Sequence, residues 1–402
     1  MRAKLLASSI FAGMARSYGL HGATIRQLPL AVENSVDYCI NIQYSFRSFP
    51  MSATLPPRGR GTASNPHNRF APTRSVPVDN DWYDEVPPAR PTEVRQEIAK
   101  TIIARNQSPD IPFDRSINPY RGCEHGCIYC YARPSHAYWD LSPGIDFETR
   151  LIAKTNAASL LEQELSKPGY VCAPINLGAN TDPYQPIERQ QRLTRQILEV
   201  LLRFRHPVTI VTKGSLILRD LDLLSELASR RLLKVFISLT TLDDELKRIL
   251  EPRAAAPSAR LRAIRVLREH GIPVGVLCSP MIPMINDREL ESLLEAAHAA
   301  GARSANYMLL RLPREVGPLF EEWLEAHYPQ RAAHVMSLMR QCRGGEIYDS
   351  RFGKRFSGEG PFAELLARRF AVALKRLGLD RRESTTLDCS AFAPPNSQMR
   401  LF

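Results

Sequence analysis

Three cysteines in one short segment constrain this chain more than any other feature of its sequence. Residues 121–130 read RGCEHGCIYC, which places Cys123, Cys127 and Cys130 in C-x3-C-x2-C spacing. In a compact loop, thiolates at this spacing can converge on one iron–sulfur cluster. A four-iron cluster takes four cysteines and no fourth follows at close range, so we expect one iron to stay open to an outside ligand. Tyr129 adds an aromatic surface beside the third cysteine.

A structural zinc site is the alternative interpretation of the same cysteines. Zinc prefers four sulfur or nitrogen ligands, and His125 or His136 would supply the fourth. Spacing alone does not separate the two metal centres.

The residues that flank the cysteines favour the cluster. Together with residues 116–120 (SINPY) and 131–133 (YAR), the loop resembles the signature loop of the radical S-adenosylmethionine (SAM) superfamily. In that family the residue before the third cysteine is usually aromatic, as Tyr129 is here. The resemblance implies a [4Fe-4S] cluster whose open iron is chelated by SAM. It also implies reductive cleavage of SAM to a 5′-deoxyadenosyl radical, with flavodoxin or ferredoxin as the kind of electron donor required.

Composition and charge narrow the class of protein. The eight cysteines of this 402-residue chain are scattered apart from the central three, which excludes a secreted disulfide framework. No apolar run approaches the length of a membrane span, and an oxygen-sensitive cluster needs a reducing compartment, so we expect a cytoplasmic protein with no membrane partner. The net charge is +11, but residues 1–80 carry nine Lys/Arg against three Asp/Glu, so the rest of the chain is only mildly basic.

The hydrophobic pattern predicts an α/β fold. Strand-like runs alternate with amphipathic, helix-like stretches, which indicates right-handed βαβ units and a parallel sheet. The strand-like runs are 116–119, 175–179, 208–212, 234–240, 273–279 and 304–310. The helix-like stretches between them are 157–165, 189–204, 221–230, 259–270 and 288–300, and two more follow at 319–341 and 361–377. Six such units resemble the partial (β/α)6 parallel barrel of radical SAM type.

This pattern divides the chain into four parts. We predict a disordered, basic N-terminal arm over 1–92, the radical SAM barrel over 93–313, a helical C-terminal extension over 314–380 and an extended tail over 381–402. Residues 1–50 differ in character from the rest, and Met51 is the favoured alternative start.

In barrels of this kind the chemistry gathers at the C-terminal ends of the strands. The family usually places a Gly-Gly-Glu-like segment after the second strand, to meet the amino group of SAM. Asn180 and Asp182 follow that strand here, although the segment departs from the family pattern and a helix cap is the alternative. Lys213 ends the third strand, Ser238 the fourth, and Arg253 lies in the following loop. We assign these three to the ribose or carboxylate of SAM.

The motifs look most like the branch of the superfamily that contains spore photoproduct lyase, which repairs a thymine dimer in DNA with a cysteine as hydrogen donor. Cys172 and Cys278 do not match the position of that cysteine, so lyase activity itself is not expected. Residues 348–356 (YDSRFGKRF) interleave basic and aromatic residues, which can either bind nucleic acid or close the open side of the barrel.

The predicted function is a radical SAM enzyme acting on nucleic acid, in DNA repair or modification. The alternatives are the same chemistry on a metabolite or protein, and a non-enzymatic zinc-stabilised nucleic-acid-binding protein.

The C-terminus carries a second indication of DNA. Residues 398–402 (QMRLF) resemble the peptide by which bacterial polymerases and repair proteins dock on the sliding clamp. We expect Gln398 to hydrogen-bond at the rim of an apolar groove that takes Met399, Leu401 and Phe402. Folding of the tail back over the barrel is the alternative.

Overall fold

The computed structural model describes residues 55–71, 91–379 and 386–395, which belong to one compact unit. Met51 and the clamp-like residues Gln398–Phe402 lie outside these ranges.

Ten strands form two sheets in the described part of the chain. The strands are β1 (Glu93–Glu97), β2 (Ile103–Arg105), β3 (Arg115–Ile117), β4 (Tyr120–Arg121), β5 (Arg150–Lys154), β6 (Ile175–Leu177), β7 (Val208–Thr212), β8 (Leu233–Ser238), β9 (Val274–Met281) and β10 (Ala305–Leu309). The large sheet has the order β10-β9-β8-β7-β6-β3-β2. Its six strands from β3 to β10 are parallel, and β2 pairs antiparallel with β3 at the edge. The predicted six-unit parallel sheet is therefore confirmed.

Helices between the parallel strands bury their apolar residues against the sheet, and further helices flank the barrel. They are α1 (Asp146–Thr149), α2 (Ala157–Leu165), α3 (Glu188–Gln191), α4 (Leu193–Arg203), α5 (Leu221–Ser229), α6 (Asp244–Leu250), α7 (Pro257–Glu269), α8 (Leu290–Ala299), α9 (Val316–His327), α10 (Pro329–Gln341) and α11 (Pro361–Leu377). None of the helices in the described ranges is long and apolar enough to cross a membrane.

Two stretches predicted as single helices are interrupted. Pro329 has no N–H and pushes Tyr328 out of the helical region (φ −139°), so 319–341 becomes α9 and α10. Arg192 takes a left-handed conformation (φ 54°) and separates α3 from α4. Both breaks are local, and the apolar faces still reach the core.

Residues 55–71, which we call the strap, lie within the arm predicted to be disordered over 1–92, but they pack on the cysteine loop. Directly after that arm, β1 forms a small second sheet in the order β1-β5-β4. Gly61 lies so close to the loop that an added Cβ would stand 1.8 Å from the carbonyl oxygen of Gly126. The composition of the strap resembles a disordered linker, but its glycine permits a backbone contact that larger residues would prevent.

The described part of the tail also differs from the predicted free linker. In residues 386–395, the N–H of Asp388 donates to the carbonyl of Arg231 at 3.0 Å, and that of Ala393 to the carbonyl of Phe204 at 3.1 Å. The ring of Phe392 packs against Tyr170, with 5.4 Å between centroids. Because these partners precede β6, β7 and β8, the segment covers the end of the barrel opposite the cysteine loop.

Candidate active site

The cysteine loop is held as a rigid turn between the barrel and the surrounding segments. Cys123 and Cys127 are buried and Cys130 is half-buried, and the three thiols are free. The N–H of Cys123 donates to the carbonyl of Phe147 at 2.9 Å, and that of Ile128 to the carbonyl of Leu250 at 3.2 Å. These bonds fix the loop at both ends although it contains no regular helix or strand.

A buried ion pair supports the loop from its outer side. Arg133 and Glu148 are both fully buried, and the guanidinium contacts the carboxylate directly. Arg133 also donates through Nε to the carbonyl of Cys127 at 3.0 Å and through Nη1 to that of Gly144 at 2.9 Å. Glu148 accepts the N–H of Gly61 from the strap at 2.9 Å. The pair thus joins the cysteine loop, the turn before α1 and the strap.

A second buried carboxylate supports the loop from inside the barrel. Glu251 contacts the hydroxyl of Tyr129 and the guanidinium of Arg260, and it accepts a hydrogen bond of 2.7 Å from Thr240. Burial alone would raise the pKa of Glu251, but Arg260 and Lys213 outweigh it and hold this pKa at about 2. Tyr129 is only 7% exposed, so its main visible role is to anchor the loop to this carboxylate.

The three thiols fit a cluster better than a zinc ion. Burial raises the pKa of Cys123, and the carboxylate of Asp182 and the other two thiols raise it further, so the thiols lie close enough to affect one another. His125 contacts Asp182 at 3.3 Å, and Nε2 of His136 contacts the carbonyl of Arg150 at 3.0 Å. Among the residues that the structure describes, no three His, Cys, Asp or Glu side chains are placed to share a single ion. A cubane instead takes one thiolate per iron.

Two of the predicted SAM contacts lie beside the inner face of the loop. The ammonium of Lys213 is 4.0 Å from Glu251 and 5.7 Å from the ring centre of Tyr129. Burial alone would lower the pKa of Lys213, but Cys127 and Glu251 raise it, so the side chain stays charged. Ser238 ends β8 and donates to the carbonyl of Ser279 at 3.3 Å. The structure therefore brings Lys213 and Ser238 to the same end of the barrel as the cysteines.

Arg253 lies on the outer side of the loop. Its guanidinium donates to Glu124 at 3.0 Å, and the two residues line a cavity of about 500 Å³ together with His125. Gly214, which follows Lys213, lines the same cavity, but in the described part of the chain the side chain of Arg253 makes no contact with that of Lys213 or Ser238.

Asp182 and Asn180 are bonded within the chain. The Asp182 carboxylate accepts hydrogen bonds from the N–H of Tyr184 (2.8 Å), the hydroxyl of Thr212 (2.6 Å) and the N–H of Lys213 (2.7 Å), and it contacts His125. Burial would raise the pKa of Asp182, but His125 and these donors hold it at about 2. Asn180 donates through its amide to Ser135 at 3.3 Å, near the mouth of the barrel. These contacts indicate that Asp182 positions the ends of β6 and β7.

A group that the sequence analysis missed stands at the mouth of the barrel. Arg311 follows β10, and its guanidinium lies over three aromatic rings: Phe356 at 4.8 Å, Tyr131 at 5.2 Å and Tyr348 at 5.7 Å. It donates to the hydroxyl of Tyr348 at 3.1 Å, and within the described ranges it has no carboxylate at ion-pair distance. The sequence signal for Arg311 is its position just beyond the sixth parallel strand, because functional side chains of such barrels gather at the C-terminal ends of the strands.

Residues Tyr348–Phe356, which we call the closing segment, pack against the open edge of the barrel. The N–H of Leu309 in β10 donates to the carbonyl of Phe356 at 2.8 Å, and Arg355 donates to Asp110 at 2.9 Å. The closing interpretation of this segment is therefore confirmed, and the segment also supplies two of the rings beneath Arg311.

Comparisons with known proteins agree with this geometry. The sequence profile of the Radical SAM superfamily matches residues 117–297. An uncharacterized protein of Mycobacterium tuberculosis is 35% identical over 305 residues, which cover 74% of this chain and 83% of the relative. An uncharacterized protein of Methanocaldococcus jannaschii is 29% identical over 214 residues, covering 53% and 76%. This chain belongs to the radical SAM superfamily. It is therefore an enzyme, its cofactors are a [4Fe-4S] cluster and SAM, and it needs an electron donor.

The fold is also similar to that of solved spore photoproduct lyases. A structure of that lyase complexed with dinucleoside spore photoproduct superposes with a TM-score of 0.51 at 14% identity, over 71% of this chain and 79% of the lyase. A variant of the lyase carrying bound AdoMet superposes with a TM-score of 0.50. At this identity the likeness concerns the fold.

The buried pair leads to a prediction about the cysteine loop. Replacing Glu148 by Gln should destabilise the protein by about 3–5 kcal/mol, because Arg133 would keep a buried charge without its partner. Chemical denaturation under anaerobic conditions measures this loss, and iron content per chain shows whether the loop still holds metal. The matched control is Glu364→Gln, because Glu364 pairs with Arg368 on the exposed face of α11 and should cost less than about 0.5 kcal/mol. Equal stability of the two variants would show that the buried pair does not support the loop.

Proposed function

We propose that this enzyme holds its cluster through Cys123, Cys127 and Cys130 and acts on a nucleic acid bound at the mouth of the barrel. The observation that carries the substrate assignment is Arg311, a cation without a carboxylate partner in the described part of the chain, placed over aromatic rings beside the third cysteine. DNA repair or modification is the process that fits this substrate class.

The cluster assignment rests on the donor set. Two buried thiols and one half-buried thiol lie in one rigid loop, and the nearby His125 contacts the carboxylate of Asp182. When bound, the reduced cluster supplies the electron that cleaves SAM and yields a 5′-deoxyadenosyl radical. The protein's part is to hold the loop, through Glu148 outside and Glu251 inside, and to keep the site dry.

Lys213 is the residue best placed to meet the carboxylate of SAM. It carries a positive charge at the end of β7, next to Tyr129 of the loop, and its side chain is 19% exposed, so it can still reach a ligand. Ser238 and Asn180 stand at neighbouring strand ends and complete the set proposed for the ribose and the amino group. Asp182 acts through His125 and the N–H of Lys213, as a positioning residue.

The mouth suits a ligand that combines planar rings with negative charge. Tyr131 is 43% exposed and its hydroxyl contacts the carbonyl of Ala179, which fixes the ring at the entrance. Bases stack on aromatic faces and on guanidinium planes, and phosphates pair with arginine. A nucleic acid supplies both features to Arg311 and Tyr131. A small apolar metabolite would use neither the charge nor the exposed ring.

The other described cysteines are either buried in the core or lie at the opposite end of the barrel. Cys278 is fully buried inside β9, Cys342 is buried after α10, and Cys172 and Cys389 lie together at the opposite end of the barrel. We therefore propose a reaction other than the cysteine-dependent repair performed by spore photoproduct lyase. A cytoplasmic location, an electron donor of the flavodoxin or ferredoxin kind, and docking of residues 398–402 on a sliding clamp stay predictions from the sequence.

The first prediction of this proposal concerns the cluster. Replacing Cys127 by Ala should remove the visible absorption of the cluster and reduce 5′-deoxyadenosine formation to background, because the cluster loses one of its three protein ligands. Iron analysis and chromatography of the anaerobic reaction measure the two effects. Cys278→Ala is the matched control, since Cys278 is a buried cysteine outside the loop. Undiminished 5′-deoxyadenosine from the Cys127 variant would end the assignment.

The second prediction separates the two proposed cations. Lys213→Ala should weaken SAM binding about ten- to a hundredfold, the loss of about 1.5–3 kcal/mol expected for a charge-assisted contact. Arg253→Ala should change SAM affinity less than about threefold, because Arg253 pairs with Glu124 on the outer side of the loop. Calorimetric titration of the cluster-loaded variants with SAM measures both. Equal losses would instead place Arg253 in the SAM pocket, as the sequence pattern predicted.

The third prediction tests the substrate class. Wild-type protein should bind single-stranded DNA or RNA, and Arg311→Gln should weaken this binding about tenfold or more while SAM affinity is retained. Fluorescence anisotropy with a labelled oligonucleotide measures the affinity. Arg368→Gln is the matched control, because Arg368 is an exposed arginine on α11 that pairs with Glu364. Failure of wild-type protein to bind either nucleic acid would rule out the proposed substrate.

A further inference from the structure

We propose that an exposed aromatic patch beside the mouth binds an unpaired nucleotide next to the one that reacts. This inference rests on the proposed function. The patch consists of Phe70 and Tyr138, with Arg69 stacked on both, and we call it the rim platform. The two rings are 55% and 66% exposed, and their centroids are 5.1 Å apart. The guanidinium carbon of Arg69 lies 4.5 Å from the ring centre of Phe70 and 5.3 Å from that of Tyr138.

The rim platform is held in place although its rings face solvent. Asn68 is buried, and its amide donates to the carbonyl of Ala137 at 3.0 Å, which joins the strap to the 3-10 helix Arg133–Trp139 that carries Tyr138. The side-chain oxygen of Asn68 accepts the N–H of Phe70 at 2.9 Å. A concave space of about 290 Å³ opens between Phe70, Tyr138 and Asp140. Large aromatic side chains are usually buried, so a fixed and exposed pair indicates a binding surface.

The rim platform is continuous with the mouth through Arg69. One end of its guanidinium donates to Glu315 at 2.8 Å and the other to the carbonyl of Pro134 at 3.1 Å. Glu315 belongs to the loop that carries Arg311, and Pro134 to the 3-10 helix that follows Tyr131. The two loops that form the reactive entrance therefore also position the rim platform.

The geometry of the reaction explains why a second stacking site is needed. A base that reaches the inside of the barrel has left its own stack, so its neighbour loses one stacking partner. An aromatic platform on the rim can replace that partner, and it can do so for any base because every base has a flat face. The occupant that fits is therefore a nucleotide in a single-stranded stretch.

A second stacked pair of an arginine and an aromatic ring lies at the end of the 3-10 helix that carries Tyr138, and it supports binding of a single strand here. Trp139 is 40% exposed, and the guanidinium carbon of Arg121 lies 3.6 Å from its ring centre. A protein partner would also bury exposed aromatic rings, but stacked guanidinium and aromatic planes on both sides of one turn suit successive bases better.

Affinity for a labelled oligonucleotide tests the rim platform. The cluster-loaded protein is titrated anaerobically, by fluorescence anisotropy, against a single strand of roughly 12 nucleotides and against the same sequence as a duplex. The double variant Phe70→Ala/Tyr138→Ala should bind the single strand about ten- to a hundredfold more weakly. The variant Phe70→Trp/Tyr138→Trp should bind like the wild type, because it keeps two flat faces. The matched control is Leu365→Ala/Val372→Ala, which removes two exposed apolar side chains from α11.

The outcomes distinguish this inference from the proposed function. If wild-type protein binds the single strand and Arg311→Gln weakens it, but the double alanine variant binds normally, the rim platform is not a nucleotide site and the proposed substrate stands. That pattern would also be expected if the patch served a protein partner. Equal losses for single strand and duplex would overturn the assignment to an unpaired nucleotide. If wild-type protein binds neither, the proposed substrate fails, and the rim platform fails with it.

Discussion

The ion pair between Arg133 and Glu148 is the interaction on which the rest of the site depends. A buried ion pair loses its hydration, and it is tolerated when hydrogen bonds satisfy the remaining donors and acceptors. Here the other donors of Arg133 reach the carbonyls of Cys127 and Gly144, and Glu148 accepts the N–H of Gly61. One pair thus fixes three segments that have no regular secondary structure. This is how a loop can hold three thiols at set positions without a helix or strand to carry them.

Glu251 provides the matching constraint from inside the barrel. Its contacts with Tyr129 and Arg260 connect the cysteine loop to α7, and the ammonium of Lys213 lies 4.0 Å from its carboxylate. The loop is therefore held between a carboxylate on each side, both compensated by arginine. The consequence is a separation of roles: the outer ion pair supports the fold, whereas Lys213 lies on the inner side, where we propose that SAM binds.

Much of the fold could be predicted from sequence because strands and helices repeat a hydrophobic pattern. The parts that could not be predicted lack such a pattern. β1 reads EVRQE and is stabilised by pairing with β5 rather than by burial of its own side chains. The strap has the composition of a linker, and its order comes from Gly61 and Asn68, whose partners are distant in the chain. Arg253 illustrates the limit for site residues. The sequence placed it in the loop after the fourth strand as a contact to SAM, but α6 separates it from β8, and its side chain pairs with Glu124. Sequence does not tell which side of a loop a side chain takes.

The number of basic residues in the sequence overstates the positive charge at the mouth of the barrel. The basic residues of the closing segment suggested phosphate binding, but carboxylates of the protein neutralise them: Arg351 pairs with Asp349, Lys354 with Glu359 and Arg355 with Asp110. Arg311 instead lies on aromatic rings, which stabilise a cation without cancelling its charge. In the proposed complex with nucleic acid, the mouth would therefore neutralise few phosphates, and counterion release would contribute little to binding. Stacking would supply most of the affinity, so the proposal implies selection by exposed bases more than by backbone charge, and an unpaired strand favoured over a duplex.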